Sequence, residues 1–267
     1  MQQIRKVLPR CGGDNLWRTV QRFLALFKLT PIGRDRLARI VKQYGLKVGR
    51  RKSLKVQTTY SNHSYAVQPN LVPAVKVNAP GKLLVADITY IPLYRGHAYL
   101  FLITDAYSRK IVGHHLSRNL CHEGAVSALR MALKEIPNPE TVVHHSDRGV
   151  QYCCHDFLDE IRRFKLQSSM TDKNHCAQNA LAECINGILK TEFFLDVGFP
   201  TFEQAHKAVQ QAIFVFNHLR IHGSLAGRTP AEVHARSGES MFELWGQQVK
   251  KCMAMYPYQD SLCVNTI

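Results

Sequence analysis

The run Leu83-Leu84-Val85-Ala86-Asp87-Ile88-Thr89-Tyr90-Ile91 decides the reading of this chain. Every residue but one is apolar or β-favouring, which predicts a strand buried on both faces. The exception is Asp87. An ionised carboxylate in such a segment is expensive unless a cation pairs with it. Two explanations stand at this point: an Asp at a strand edge salt-bridged to an arginine, or a carboxylate kept for chemistry.

Downstream, Ala98–Thr104 and Lys110–Leu116 repeat the β-rich pattern. With Leu83–Pro92 they are separated only by the turns Tyr94-Arg95-Gly96 and Ala106-Tyr107-Ser108-Arg109. That is a three-stranded antiparallel meander. A helix is expected over residues 122–136, stopped by Pro137 and Pro139, then a strand Thr141–His145. A helix over 154–164, a strand Leu166–Met170, a long helix over 177–195 and another over 201–219 complete the body. The order βββαβαβα predicts a mixed α/β fold with helices flanking a central sheet.

Two more carboxylates sit where chemistry is commonly kept. Asp147 follows Val142-Val143-His144-His145-Ser146 and precedes Arg148-Gly149. The C-terminal end of a strand is where α/β proteins place ligands, although an ordinary turn Asp looks the same in sequence. Glu183 lies on the expected long helix, where Asn179, Glu183, Asn186 and Lys190 recur at helical spacing as one polar stripe. A polar stripe alone is usually the solvated side. Taken together, two strand-end carboxylates and one on an adjacent helix can converge on a pair of hard divalent cations. Such a site leaves positions open for phosphate and water, which is phosphodiester chemistry.

Charge points to the same substrate class. The chain of 267 residues carries a formal +15, with 35 Lys+Arg against 20 Asp+Glu. Residues 1–75 hold 15 basic side chains and only Asp14 and Asp35 as acids, leaving the other 192 residues nearly neutral. An acidic partner follows: nucleic acid first, an anionic membrane surface second. Within the basic part, a helix carrying Leu16, Val20, Phe23, Leu24 and Phe27 is followed by the breaker Pro31-Ile32-Gly33. A second helix over Arg34–Tyr44 puts Leu37, Ile40 and Val41 on one face and Arg36, Arg39 and Lys42 largely on others. The outline is that of a helix-turn-helix, or equally of a small bundle with a solvated basic face. Gly49-Arg50-Arg51-Lys52 is a basic cluster, and residues 58–80 read as an extended linker with Pro69, Pro73 and Pro80.

Several classes are excluded or disfavoured. A 45% hydrophobic composition supports a real core rather than a disordered basic tail. No apolar stretch approaches the roughly 18 residues needed to cross a bilayer. No signal-peptide pattern follows Met1, and the eight cysteines show no Cys-x-x-Cys spacing. Reduced thiols in the cytoplasm are therefore expected. Zinc is disfavoured, because adjacent His144 and His145 on a strand point to opposite faces. Asp105 and Asp172 read as turn or cap residues.

The blocks also resemble a known family. Between Asp147 and Glu183 lie 35 residues, the spacing of DDE transposases and retroviral-type integrases. Asp87-Ile88-Thr89-Tyr90-Ile91, His145-Ser146-Asp147-Arg148-Gly149-Val150-Gln151-Tyr152 and Asn179-Ala180-Leu181-Ala182-Glu183 look like the catalytic blocks of insertion-sequence-3 transposases, in their OrfB or integrase-like part. Phe216-Asn217-His218-Leu219-Arg220-Ile221-His222-Gly223-Ser224-Leu225 with Thr229-Pro230 resembles the family's C-terminal block, and Ile32–Leu37 with Tyr44–Val48 its upstream helical segment. Val85 stands where family members often carry Trp, and Gln178 near a frequent acid.

The resemblance implies an RNase H-like core, a mixed five-stranded sheet flanked by helices, over residues 81–236. A basic helical DNA-binding region over 1–50 and a linker over 51–80 would precede it, and a tail over 237–267 would follow. It implies Asp87, Asp147 and Glu183 as catalytic residues holding two Mg²⁺ ions, with Mn²⁺ as a substitute, in strand cleavage and strand transfer. DNA contacts are expected from Arg34, Arg36, Arg39, Lys42, Arg50, Arg51, Lys52, Arg148, Asn179, Asn186 and Lys190. The partners implied are element-end and target DNA, further copies of the chain on DNA, and an upstream OrfA product as fusion or partner, at the bacterial nucleoid and not at a membrane. Two other functions share these residues: a catalytically silent DNA-binding regulator, and an RNase H-fold nuclease that hydrolyses without joining.

Overall fold

The computed structural model describes residues 2–48, 65–172, 179–235, 245 and 247. The chain divides into two compact units, Met1–Val48 with Val215–Ile267, and Gly49–Phe214.

The second unit is built on a five-stranded sheet. Its strands are β1 (Leu83–Pro92), β2 (His97–Asp105), β3 (Ile111–Ser117), β4 (Val143–Ser146) and β5 (Gln167–Met170), in the order β3-β2-β1-β4-β5. β1 pairs antiparallel with β2, and β2 with β3, as the two short turns require. β4 pairs parallel with β1 and β5 parallel with β4. The central position of β1 explains its nearly continuous apolar sequence, because both its faces are covered.

The helices complete the layers in chain order. Counting from the N-terminus, α1 (Gln2–Val7), α2 (Gly13–Leu26) and α3 (Arg34–Gln43) precede the sheet. α4 (His122–Leu133), α5 (Val150–Cys153), α6 (His155–Arg163) and α7 (Ala180–Glu192) belong to the sheet unit, followed by α8 (Phe202–His218) and α9 (Pro230–His234). Leu84 and Ala86 of β1 face a core formed with Phe101, Ala128, Leu129, Phe157 and Ile161 of β2, α4 and α6. Leu83 and Val85 face the opposite side, where Ala182 of α7 and a strap carrying Leu71, Val72, Val75 and Val77 pack on them. This is an RNase H-like core.

Small residues set how closely α4 approaches the sheet. A Cβ on Gly113 of β3 would lie 2.2 Å from the Ala128 carbonyl oxygen, and one on Gly124 would lie 2.3 Å from the Phe101 ring. Asp105, fully buried at the end of β2, accepts hydrogen bonds from the Gly81 and Ser108 amides and the Ser108 hydroxyl. It ties the start of β1 to the β2–β3 turn, the structural part expected of it.

Differences from the expected elements are local. The helix expected over 122–136 ends at Leu133, and a short 3₁₀ turn, Pro139–Thr141, leads into β4. The segment after Asp147 forms a separate helical turn, α5, before α6, because Cys154 is extended between them. The described part of the long helix begins at Ala180; residues 173–178 lie outside the described residues.

In the other unit, α2 buries Leu16, Thr19 and Val20, while α3 buries only Leu37. The Trp17 indole N–H donates to the Ile32 carbonyl at 2.9 Å, fixing the turn between these helices. Arg22 of α2 forms a two-pronged ion pair with Glu232 of α9 and lies 4.7 Å from the Trp245 ring centroid. Glu232 is itself part of a capping box with Thr229. No helix among the described residues is long and apolar enough to cross a membrane.

Candidate active site

The parallel ladder pairs Leu83 with Val143 and Val85 with His145. Two residues beyond that pair stand Asp87, within β1, and Asp147, in the turn after β4, near enough for each to feel the other's charge. Asp147 lies just past the end of β4, and its carboxylate accepts the Gly149 amide at 3.0 Å, which holds the turn. α7 covers this face: the Asn186 amide donates to Asp87 Oδ2 at 2.6 Å, and the Ile88 amide donates to Oδ1 at 2.9 Å.

Electrostatics shows what this placement costs. The Asp87 carboxyl is raised to about 7, first by burial, then by the negative field of Asp147 and, further off, Glu183. Its two hydrogen bonds oppose that shift without cancelling it. Glu183 is exposed on the first turn of α7. Lys190, one more step along the stripe, is lowered by burial and held up by Asp87 and Asp196. The Tyr152 phenol of α5 is fully enclosed and raised well above its usual value by burial and by Asp147 and Asp87.

The donor set facing this cluster is oxygen, the chemistry of Mg²⁺ rather than of a softer metal. The mutual repulsion of Asp87 and Asp147 is what a divalent cation would relieve, so these residues fit the implied ions. Among the described residues, however, no three His, Cys, Asp or Glu side chains are gathered closely enough to hold a metal. Asp87 is instead engaged by Asn186.

The other expected site residues fall in different settings. Asn179 is buried and donates to the Ala86 carbonyl at 3.0 Å, anchoring the start of α7 beside β1. Arg148 donates to the Thr171 carbonyl at 2.7 Å. Arg34 pairs with Asp14 at 2.7 Å and lies over Trp17, whereas Arg36, Arg39 and Lys42 are exposed on α3. Arg50, Arg51 and Lys52 lie outside the described residues. His144 and His145 diverge: the first sits between Tyr152 and Phe157, lowered to about 3 by burial, and the second meets the Ser169 hydroxyl at 2.9 Å. Asp172 accepts from the Asn70 amide. Tyr152 had no assigned part in the sequence reading, although its spacing five residues after Asp147 was visible there.

Comparison with known proteins gives this geometry a context. Two family models, both described as integrase core domain, match residues 77–176 and 165–230. The insertion element IS600 uncharacterized 31 kDa protein of Shigella sonnei is 36% identical over 202 residues, covering 75% of this chain and 74% of that protein. The chain belongs to the DDE-type integrase-core family of insertion-sequence transposases. Transposase InsF for insertion sequence IS3A of Escherichia coli is 29% identical over 204 residues, covering 76% of this chain and 70% of that relative. A putative transposase for insertion sequence element IS986/IS6110 of Mycobacterium tuberculosis is 29% identical over 232 residues, covering 84% and 81%. In fold, this integrase-core chain is similar to a chain of the simian T-cell lymphotropic virus intasome, solved in complex with PP2A regulatory subunit B56 gamma. The TM-score is 0.52 at 18% identity, over 78% of this chain and 66% of that one.

Proposed function

We propose that this chain is the catalytic part of a transposase that cleaves DNA at the ends of an insertion sequence and joins them to target DNA. The observation that carries the proposal is the burial of Asp87 in the middle of β1 within the negative field of Asp147, just past the end of the neighbouring β4, with Glu183 adding to the same field. Asp87, Asp147 and Glu183 would hold two Mg²⁺ ions, for which Mn²⁺ can stand in. Bound there, the ions would activate a water or 3′-hydroxyl and stabilise the leaving oxygen.

The chain's own residues do the rest. Asn186 orients the Asp87 carboxylate, and Asn179 ties the start of α7, the helix that carries Glu183, to β1. Lys190 offers a cation on the same helix stripe for a phosphate of the bound strand. Arg36, Arg39 and Lys42 form an exposed basic face on α3 for duplex DNA, with Arg34 at its edge and Arg50, Arg51, Lys52 and Arg148 as further cations. Bringing two DNA ends together implies several copies of the chain, and the OrfA product is the expected fusion or partner, in a bacterial cytoplasm.

A strand-transfer assay tests the proposal. Purified chain, alone and fused to OrfA, is given Mg²⁺ and labelled element-end DNA. Nicked and joined products are expected, and Asp147→Asn should lose both while still binding DNA. Binding without any metal-dependent product would identify a silent regulator, and nicking without joining a nuclease.

A further inference from the structure

A cavity of about 370 Å³ opens on the sheet face that carries Asp87 and Asp147. Its floor includes Val85 and His145, the ladder pair two residues before the two carboxylates. Same-face residues on a strand repeat at about 6.6 Å, so the cavity floor lies roughly one nucleotide step from the carboxylate pair. The volume falls in the range of small-ligand pockets, about 300–1,000 Å³, and is far too small for a duplex.

The lining has two chemical characters. Val72 of the strap, Val85 and Leu181 of α7 make apolar walls suited to a flat, weakly polar ring, and Tyr107 adds an aromatic surface at the rim. His145 is held on the floor by Ser169, whose hydroxyl oxygen also accepts the Leu71 amide at 2.9 Å, so strap and floor are tied together. Arg109 also stands at the rim, half-buried, with no carboxylate partner among the described residues. Its backbone is held at φ 64°, a region a glycine would occupy at lower cost. A guanidinium beside an apolar slot is complementary to a phosphate attached to a base.

We infer that this cavity receives one unstacked nucleotide of the DNA strand engaged at Asp87 and Asp147, with its base between Val72 and Leu181 and its phosphate on Arg109. The inference rests on the DNA-processing reading above and adds a subsite to it.

Two arms test it, both on the full chain. In the first, thymidine 5′-monophosphate and thymidine are titrated without metal and followed by saturation-transfer NMR. The nucleotide should bind, Val72→Trp should abolish binding by filling the slot, and Arg109→Ala should weaken the nucleotide about tenfold while leaving thymidine unchanged. In the second, 2-aminopurine is placed at successive positions near the cleaved end of element DNA. One position should brighten on complex formation, and Val72→Trp should remove that signal while circular dichroism shows the protein still folded. Nucleotide binding that survives Val72→Trp overturns the inference, as does a stable DNA complex in which no position brightens. If the chain neither binds nor cuts DNA, the DNA-processing reading falls, and the first arm still decides whether the cavity is a nucleotide site.

Discussion

Asp87→Asn should stabilise the metal-free protein while destroying its activity. The Asp87 carboxyl is raised from 3.8 to about 7. At about 1.36 kcal/mol per unit, holding it ionised in the folded state costs at most about 4 kcal/mol. Partial exposure of the side chain screens that figure, and Asn keeps only one of two acceptor oxygens, forfeiting about 1 kcal/mol. A net gain of about 1–2 kcal/mol remains, equivalent to a rise of roughly 3–8 °C in melting temperature. The sign follows from linkage. The folded state holds the proton more tightly than the unfolded state, so wild-type stability falls as pH rises from about 4 to about 7 and is level above. The variant lacks that fall. The gap between the two should therefore be small near pH 4, open through pH 7, and stay constant at pH 8. Thermal denaturation in EDTA across this range is the assay. Adding Mg²⁺ at pH 8 should raise the wild type and leave the variant unmoved. A variant less stable than wild type at pH 8 without metal, or a gap independent of pH, refutes the reasoning.

Other perturbations have equally definite outcomes. Arg22→Ala strands the buried Glu232 carboxylate and should cost about 3 kcal/mol, with faster amide exchange through α9 as the local sign. Gly113→Ala forces a methyl against the Ala128 carbonyl, so loss of about 3 kcal/mol or of soluble protein is expected; a wild-type melting temperature would show that α4 is free to move away. Replacing Arg36, Arg39 and Lys42 together by Ala should make the logarithmic salt dependence of DNA affinity shallower by about 2–3, measured by anisotropy between low and moderate salt. An unchanged slope would remove the exposed face of α3 from the DNA interface.

Much of the fold was legible because its signals are local. The apolar, β-rich runs and turn chemistry of residues 83–116 predict the meander that the ladders of β1, β2 and β3 form. The proline stop after α4 was read a few residues late, since a helix ends where its last carbonyls lose partners, not at the proline itself. The capping box of Thr229 and Glu232 is a local pattern, yet the helix it starts was not among the expected elements. The ion pair of Glu232 with Arg22 has no local signal at all, because the two residues are 210 positions apart. In the same way, the stripe Asn179, Glu183, Asn186 and Lys190 was visible as a helix face. That Asn186 would meet Asp87 and Asn179 the Ala86 carbonyl depends on how α7 lies on the sheet.

By itself, then, the sequence determined which segments become strands and helices and which side chains have no business in a core, Asp87 above all. Only the tertiary structure decided that β4 lies parallel beside β1 with Val85 against His145, which brings Asp147 near Asp87, and that a cavity opens at that pair. The division has a physical cause. Periodicity and turn chemistry act over a few residues, whereas strand order and register are fixed by ladder hydrogen bonds and packing between segments some sixty residues apart in the chain, where a slip of one residue would turn every side chain to the other face.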